Sequence, residues 1–224
     1  YTYSFAKEAV DGMPLIRAMF LDYPSAYTYG PATQYQFMYG TDFLVAPIYQ
    51  NTKADEKGND IRDGIYLPEG SWIDYFTGEK YEGNRILNNF DTPIWKLPVF
   101  VKNGSIIPMT HPHNNVSEID PSLRIYEFYP NRHTATVEYD DDGVTEAYRQ
   151  EKSVSTLIES NVIDKKKNLT ICFILAVSLI TSRERQKTEE KTSSMRSVKN
   201  ASQRYIIWPT FITVKTSTRS VMIS

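Results

Sequence analysis

The sequence predicts a mainly β protein in which antiparallel β-sandwiches follow a short helix and strand. From residue 65 onward, runs of β-branched and aromatic residues alternate with turn residues, as in Ile65–Leu67, Ser71–Phe76 and Lys80-Tyr81. Several short strands within about fifty residues, without a helical period, are typical of an antiparallel β-sandwich. Leu123–Tyr129 and Thr134–Tyr139 alternate in the same way. They predict the start of a second β-sandwich, which is incomplete in this sequence.

The first residues have a different pattern. Residues 1–11 place four apolar side chains on one helical face, and Gly12 is well placed to end the helix. Residues 13–21 form an apolar run, which predicts a fully buried strand. A helix, a tight turn and such a strand are the αβ half of a βαβ unit, whose strand needs parallel neighbours. The remaining sequence predicts none.

The region between these two patterns contains a second apolar stretch. Residues 36–48 predict one buried strand that ends near Pro47, because proline removes a ladder donor. Residues 51–64 are charged and predict an exposed inserted loop. Residues 94–102 and 105–109 predict two strands joined by a hairpin turn at Asn103-Gly104, which is a strong turn signal.

Composition divides the chain into an acidic body and a basic tail. Residues 165–224 contain 12 Lys/Arg and 3 Asp/Glu, whereas the first 164 contain 13 and 24. An acidic body rich in tyrosine suits neutral polar ligands better than phosphate backbones, so we expect no nucleic-acid partner. Cys172 is the single cysteine, and its apolar neighbours in sequence predict an inert buried thiol. The chain begins at Tyr1 without a basic, apolar leader, which predicts a piece of something longer.

We predict that the tail from residue 172 onward is aberrant and poorly ordered. All ten glycines lie at or before Gly143, and a β-domain of this length without glycine is improbable. A reading-frame error near residues 163–172 would explain the change, and resequencing of the locus would test it. Residues 172–180 are apolar but shorter than the roughly 20 residues that span a bilayer, so we expect no membrane partner.

Four motifs in order resemble the C-terminal part of glycoside hydrolase family 31, the retaining α-glucosidases and α-xylosidases. The motifs are Gly12–Pro24, Gln36–Gly40 with Leu44–Pro47, Trp72–Gly78, and Pro98–Pro108. The resemblance covers roughly residues 1–162. It implies that residues 1–33 are the last helix and eighth strand of a (β/α)8 barrel, 34–115 a proximal β-sandwich, and 120–171 the start of a distal one, ahead of the tail at 172–224.

The resemblance transfers no catalytic residue. The chemistry of the family needs two carboxylates about 5–5.5 Å apart, and the resemblance places both upstream of Tyr1. Asp22 follows the predicted eighth strand, at the face where barrels do chemistry. A turn-forming or ligand-proximal role nevertheless fits a lone carboxylate better. Arg17 lies in an apolar strand, and we interpret it as a buried ion-pair partner rather than a substrate clamp. The predicted sets of catalytic, cofactor-binding and metal-binding residues are therefore empty.

Other patterns have a functional and a plain interpretation. The acidic run before Gly143 lacks further ligands at calcium-loop spacing, which favours a solvated turn. A metal site at the two linker histidines lacks a third ligand, which favours a plain linker. Strand aromatics suit a sugar-stacking platform or, more often, a core. Three sequons would matter in a secreted eukaryotic protein. The acidic run is Asp140, Asp141 and Asp142, and the linker histidines are His111 and His113. The strand aromatics are Trp72, Tyr75, Phe76 and Trp95, and the sequons begin at Asn115, Asn168 and Asn200.

The sequence thus predicts a C-terminal, non-catalytic part of a retaining α-glycoside hydrolase that needs no cofactor and acts, as a whole enzyme, on α-linked oligosaccharides. Glucose, xylose, galactose and N-acetylgalactosamine remain open as its sugar, as do its oligomeric state and its cellular location. The isolated chain is expected to be inactive. Two alternatives are a carbohydrate-binding β-sandwich and a purely structural module that supports a barrel.

Overall fold

The computed structural model of the chain describes residues 1–49, 56, 60–93, 95–120, 123–129, 131–150, 152–162, 172–180 and 210–215. These residues are mainly β, with antiparallel sheets and few helices, as the sequence predicts. They divide into two compact units. We call Thr2 with Ser4–Asn103 the N-terminal unit, and Tyr1, Tyr3 and the chain from Gly104 onward the C-terminal unit.

The elements are as follows. The helices are α1 (Thr2–Val10) and α2 (Met19–Asp22), with 3-10 turns at Pro31–Thr33, Val116–Glu118 and Glu146–Gln150. The strands are β1 (Ile16–Ala18), β2 (Phe37–Tyr39), β3 (Phe43–Val45), β4 (Asp60–Arg62), β5 (Ile65–Leu67), β6 (Ser71–Asp74), β7 (Lys80–Glu82), β8 (Arg85–Leu87), β9 (Phe90–Thr92), β10 (Val99–Lys102), β11 (Ile106–Met109), β12 (Leu123–Phe128), β13 (His133–Asp140), β14 (Val154–Val162), β15 (Cys172–Ile180) and β16 (Thr210–Lys215).

The N-terminal unit contains a six-stranded sheet in the order β1-β2-β3-β10-β6-β7 and two short ladders, β4–β9 and β5–β8. All of these pairs are antiparallel. One core cluster joins side chains from the large sheet with side chains from β5 and β8, so the two layers share an apolar interior. The buried members are Met19, Met38, Leu44, Ala46, Ile65, Leu67, Trp72, Leu87 and Phe100.

The C-terminal unit contains two antiparallel sheets of three strands, β11-β12-β16 and β13-β14-β15. Its described core cluster consists of Ile106, Tyr126, Phe128 and Ile158. The predicted strands near residues 123–129 and 134–139 are confirmed, and Val154–Val162 is a further strand. The two units meet in sequence at Asn103–Gly104. The predicted domain limits at 34–115 and 120–171 stay predictions.

The prediction of one strand over residues 36–48 is wrong. The structure has a hairpin there, in which β2 pairs with β3 and Phe37 lies opposite Val45. Gly40 turns the chain with a φ of 60°, a left-handed conformation that glycine adopts without steric strain. The apolar run is therefore two short strands on one sheet, and the turn residues Gly40-Thr41-Asp42 separate them.

The predicted hairpin at Asn103-Gly104 is also wrong. β10 pairs with β3 and β6, whereas β11 pairs with β12. Gly104 has a φ of 105°, so a turn does form, but it passes the chain from one sheet to another. Local turn chemistry fixes the backbone conformation and leaves the choice of strand partner to the core.

The helix predicted near the N-terminus is confirmed as α1, whereas the apolar strand over 13–21 is shorter than predicted. Only Ile16–Ala18 forms a strand, which pairs antiparallel with β2, and α2 follows directly. The middle residue, Arg17, is the buried one, while Ile16 and Ala18 are exposed. Assignment of this segment to a barrel stays a prediction.

Several predictions fall wholly or partly outside the described residues. The predicted loop at 51–64 is described at residue 56 and from residue 60 on, where Asp60–Arg62 forms β4. Asn168 and Asn200 lie outside the described residues. In the tail predicted to be poorly ordered, the described segments Cys172–Ile180 and Thr210–Lys215 are strands β15 and β16, and the side chain of Cys172 is not described. The prediction for the tail as a whole stays a prediction.

Candidate functional site

Arg17 is the centre of a charged cluster near the end of α1. Its guanidinium is buried and lies between two carboxylates, with Nη2 donating to Glu8 Oε2 at 2.7 Å and Nη1 to Asp22 Oδ1 at 3.2 Å. Its Nε donates to the carbonyl oxygen of Pro14 at 2.8 Å. The ring centroid of Phe5 lies 5.2 Å from Cζ. These contacts identify Arg17 as a buried ion-pair partner, as predicted.

Asp22 is the carboxylate that follows the predicted eighth strand. Its Oδ1 accepts from Arg17, and its Oδ2 is buried with no hydrogen-bond donor among the described residues. Burial, reinforced by the charges of Asp22 and Asp42, raises the pKa of the neighbouring Tyr23 to about 12. The Arg17 guanidinium contacts both Asp22 and Glu8, so the two carboxylates compensate one buried cation.

A second charged pair lies within the sandwich core and was not predicted. Lys96 Nζ lies 3.1 Å from Asp74 Oδ2, and the two side chains are only 9% and 3% exposed. Asp74 Oδ1 accepts from the backbone N–H groups of Phe76 at 2.8 Å and Thr77 at 3.1 Å. The turn residues Thr77-Gly78 after Asp74 are a signal for this carboxylate cap. The distant Lys96 has no sequence signal.

The four aromatic residues proposed as a stacking platform separate into core and surface. Trp72 is fully buried, and its Nε1–H donates to the carbonyl oxygen of Pro68 at 2.9 Å, so it belongs to the core. Tyr75 is partly buried and packs edge-on against Phe43, with ring centroids 5.8 Å apart. Phe76 and Trp95 are exposed. Only the last two therefore present ring surface to solvent.

The acidic run before Gly143 uses its carboxylates to fix a turn. Asp142 Oδ1 accepts from the N–H groups of Val144 and Thr145, and Oδ2 accepts from the Thr145 hydroxyl at 2.5 Å. The Thr145 hydroxyl and these N–H groups lower the pKa of Asp142. Asp140 forms an ion pair with Arg124 at 2.6 Å. This arrangement is a hydrogen-bonded turn, as the plain interpretation of the run predicts.

The linker residues are exposed. His113 Nδ1 lies 2.5 Å from the carbonyl oxygen of His111. Asn115 caps the 3-10 turn after it, accepting from the Ser117 N–H at 3.0 Å. Within the described part of the chain, no group of three His, Cys, Asp or Glu side chains is arranged to hold a metal ion. The helices in that part are also too short or too polar to cross a membrane.

Comparison with known proteins places these features in a family. Residues 12–107 match the family model "Glycosyl hydrolase family 31 C-terminal domain". The chain is 43% identical over 111 residues to an isomaltosyltransferase from Sporosarcina globispora, which covers 49% of this chain and 9% of that protein. It is 31% identical over 157 residues to alpha-glucosidase 2 from Bacillus thermoamyloliquefaciens, which covers 69% of this chain and 19% of that protein.

A solved structure gives the same result. The chain superposes on a glycoside hydrolase family 31 dextranase from Flavobacterium johnsoniae, solved in complex with glucose, with a TM-score of 0.63 and 34% identity. The match covers 72% of this chain and 19% of the dextranase. The chain thus spans less than a fifth of the length of each of these three proteins. It belongs to glycosyl hydrolase family 31, and its residues 12–107 are the C-terminal domain of that family.

Proposed function

We propose that this chain is a non-catalytic part of a retaining α-glycoside hydrolase that acts on α-linked oligosaccharides. Two observations support the proposal: the relatives are a glucosidase, an isomaltosyltransferase and a dextranase, and the chain offers little of the chemistry that hydrolysis needs. A retaining mechanism requires one carboxylate as nucleophile and a second as acid and base, about 5–5.5 Å apart across the scissile bond.

One observation carries the non-catalytic assignment, namely the geometry of Asp22. Its Oδ1 contacts the buried Arg17 guanidinium, and Glu8 contacts the same guanidinium from another side. Removing Asp22, whose side chain is mostly buried, would leave the buried Arg17 cation undercompensated, which costs several kcal/mol. The cluster therefore stabilises the join between α1, β1 and α2. In the proposed function it supports the fold and performs no step of hydrolysis.

A turnover assay tests this proposal. The 224-residue chain is incubated with 4-nitrophenyl α-glucoside and, separately, with 4-nitrophenyl α-xyloside, and nitrophenol release is followed by absorbance. We expect release at the rate of the buffer blank, with the Bacillus alpha-glucosidase 2 as positive control. Release that saturates with substrate and disappears in Asp22→Asn would contradict the proposal, provided that circular dichroism shows the variant to be folded.

The structural module and the sugar-binding module are both compatible with an inactive chain. The exposure of Trp95 favours a binding role in addition to a supporting one, because an indole that only fills a core would be buried. The turnover assay does not depend on sugar binding. The non-catalytic assignment and the sugar-binding role can therefore be refuted separately.

A further inference from the structure

Asn103-Gly104 is the single Asn-Gly step in the sequence, and it directly follows β10. The backbone nitrogen that follows an asparagine can attack the side-chain amide, which closes a five-membered succinimide ring. Glycine permits this attack most readily, because it has no side chain to hinder the approach and its backbone rotates freely. We therefore expect this step to be the most reactive asparagine of the chain whenever its backbone is unconstrained.

Two hydrogen bonds constrain the attacking nitrogen in the folded chain. The N–H of Gly104 donates to the carbonyl oxygen of Tyr129 at 2.7 Å, and the N–H of Tyr129 donates to the carbonyl oxygen of Ser105 at 2.9 Å. These bonds extend the β11–β12 ladder, in which Ile106 lies opposite Phe128. The Gly104 nitrogen thus belongs to the ladder, and its hydrogen points to an acceptor oxygen instead of solvent.

The surroundings of Gly104 leave its backbone little room to rotate. Its φ is 105°, and a Cβ at this position would lie 3.0 Å from Cγ2 of Thr134 and 3.3 Å from Cβ of Asn131. Asn103 is held as well, since its N–H donates to the carbonyl oxygen of Ser71 at 2.8 Å. The Gly104 nitrogen therefore cannot turn towards Cγ of the Asn103 side chain without first losing its hydrogen bond.

We propose that Asn103 is a site of spontaneous deamidation that the closed β11–β12 ladder protects. When the ladder opens at Gly104, the backbone amide loses its proton to solvent base, and its nitrogen attacks Cγ of Asn103. A bond forms between Gly104 N and Asn103 Cγ, the bond between Cγ and Nδ2 breaks, and the side-chain nitrogen takes up a proton and leaves as ammonia. Water then opens the succinimide at either carbonyl, which gives an aspartyl or an isoaspartyl residue.

The reaction consumes only water and involves no redox step. Asn103 and Gly104 are both partly exposed, so solvent reaches the succinimide once it forms. The product carries one additional negative charge and, in the isoaspartyl form, one additional methylene in the main chain. Closing the ladder reverses neither change, so the modification permanently records that the ladder has opened. This site goes beyond the proposed function, because it depends on neither hydrolysis nor sugar binding.

Peptide mass spectrometry of the unaltered full chain tests the proposal. The chain is incubated at one pH in buffer and in urea, and the peptide that contains Asn103 is followed over time. Deamidation raises the mass of this peptide, and electron-transfer fragmentation distinguishes the aspartyl from the isoaspartyl product. We expect both products in urea. In the folded chain the rate should be lower by about tenfold or more, because a local opening that costs about 1.4 kcal/mol already slows the reaction tenfold.

Two isoleucine-to-valine variants test whether the ladder controls the rate. Ile106→Val removes one buried methyl group from β11, and Ile65→Val removes one from β5 in the N-terminal unit. The first variant weakens the ladder that holds Gly104 and should speed deamidation of Asn103 in the folded chain roughly two- to tenfold. The second is the matched control and should leave the rate unchanged. In urea all three chains should react at the same rate.

Three results would overturn the proposal. Equal rates at Asn103 in the folded and the urea-unfolded chain would mean that the ladder gives no protection. Absence of both products in urea would mean that the Asn-Gly step is not reactive. Equal rates in the two folded valine variants would mean that the ladder around Ile106 does not control the reaction. The first two results come from the unaltered chain and do not depend on the folding of a variant.

Discussion

Asp74→Ala removes the buried partner of Lys96 and should lower the free energy of unfolding. The two side chains are 3.1 Å apart and almost completely buried. Removing one partner of such a pair leaves an uncompensated charge in the core, which lowers the free energy of unfolding by about 3–5 kcal/mol. Asp74 also accepts two backbone N–H groups, whose loss adds to this. With a typical urea dependence of about 2 kcal/mol per molar, the unfolding midpoint should fall by roughly 2 M.

Lys7→Ala provides the matched control. Lys7 and Asp11 are 3.0 Å apart, nearly the same distance, but their side chains are 29% and 75% exposed. An exposed pair of this kind on a helix contributes only about 0.3–0.5 kcal/mol. Urea unfolding of both variants is followed by circular dichroism. Because the two ion pairs have nearly the same N···O distance, the difference between the two stability losses reports the effect of burial. If Asp74→Ala lowers the midpoint no more than Lys7→Ala does, the buried pair contributes no more to stability than the exposed pair, which contradicts the prediction.

Three further predictions concern the N-terminal unit. Leu44→Ala should lower the free energy of unfolding by about 2–5 kcal/mol in urea, because the side chain is fully buried in the core cluster and leaves a cavity. Gly83→Ala should lower it by about 1–3 kcal/mol, since a Cβ there would clash with the carbonyl oxygen of Pro68, and an unchanged midpoint would contradict this contact. Burial raises the pKa of Tyr23 above its usual 10.0 to about 12, so the folded state favours the neutral phenol. That stabilisation is complete below pH 10 and is lost as the pH rises to about 12; Tyr23→Phe should make urea stability fall less across this range.

The sequence predicted the class of the fold because the signals for it are local. Alternation over Leu123–Phe128 and His133–Asp140 gave strands that the structure confirms. The hairpin at residues 37–45 was missed because a continuous apolar run outweighed the glycine in its middle. Gly40 is the residue that turns the chain, and its positive φ has no hydrophobic signature.

Strand partners and buried pairs were harder to predict, because they depend on residues far apart in sequence. The Asn103-Gly104 turn formed, yet β10 and β11 joined different sheets. Lys96 lies 22 residues from Asp74, and nothing near it in sequence identifies that carboxylate. The exposure of the tryptophans could not be predicted either, since Trp72 and Trp95 each have an isoleucine as a chain neighbour but Trp72 is buried and Trp95 is exposed. Arg17 was predicted as an ion-pair partner because an arginine in an apolar run requires a compensating anion.

We propose that this family 31 chain contributes support and no catalytic carboxylate, and mechanism-based labelling tests this proposal. Retaining hydrolysis proceeds through a covalent glycosyl-enzyme, and fluorinated glycosyl fluorides trap that species on the nucleophile. The 224-residue chain is incubated with 5-fluoro-α-glucosyl fluoride and analysed by intact-mass spectrometry. We expect an unchanged mass. A stoichiometric glycosyl adduct that peptide mapping places on Asp22 would contradict it.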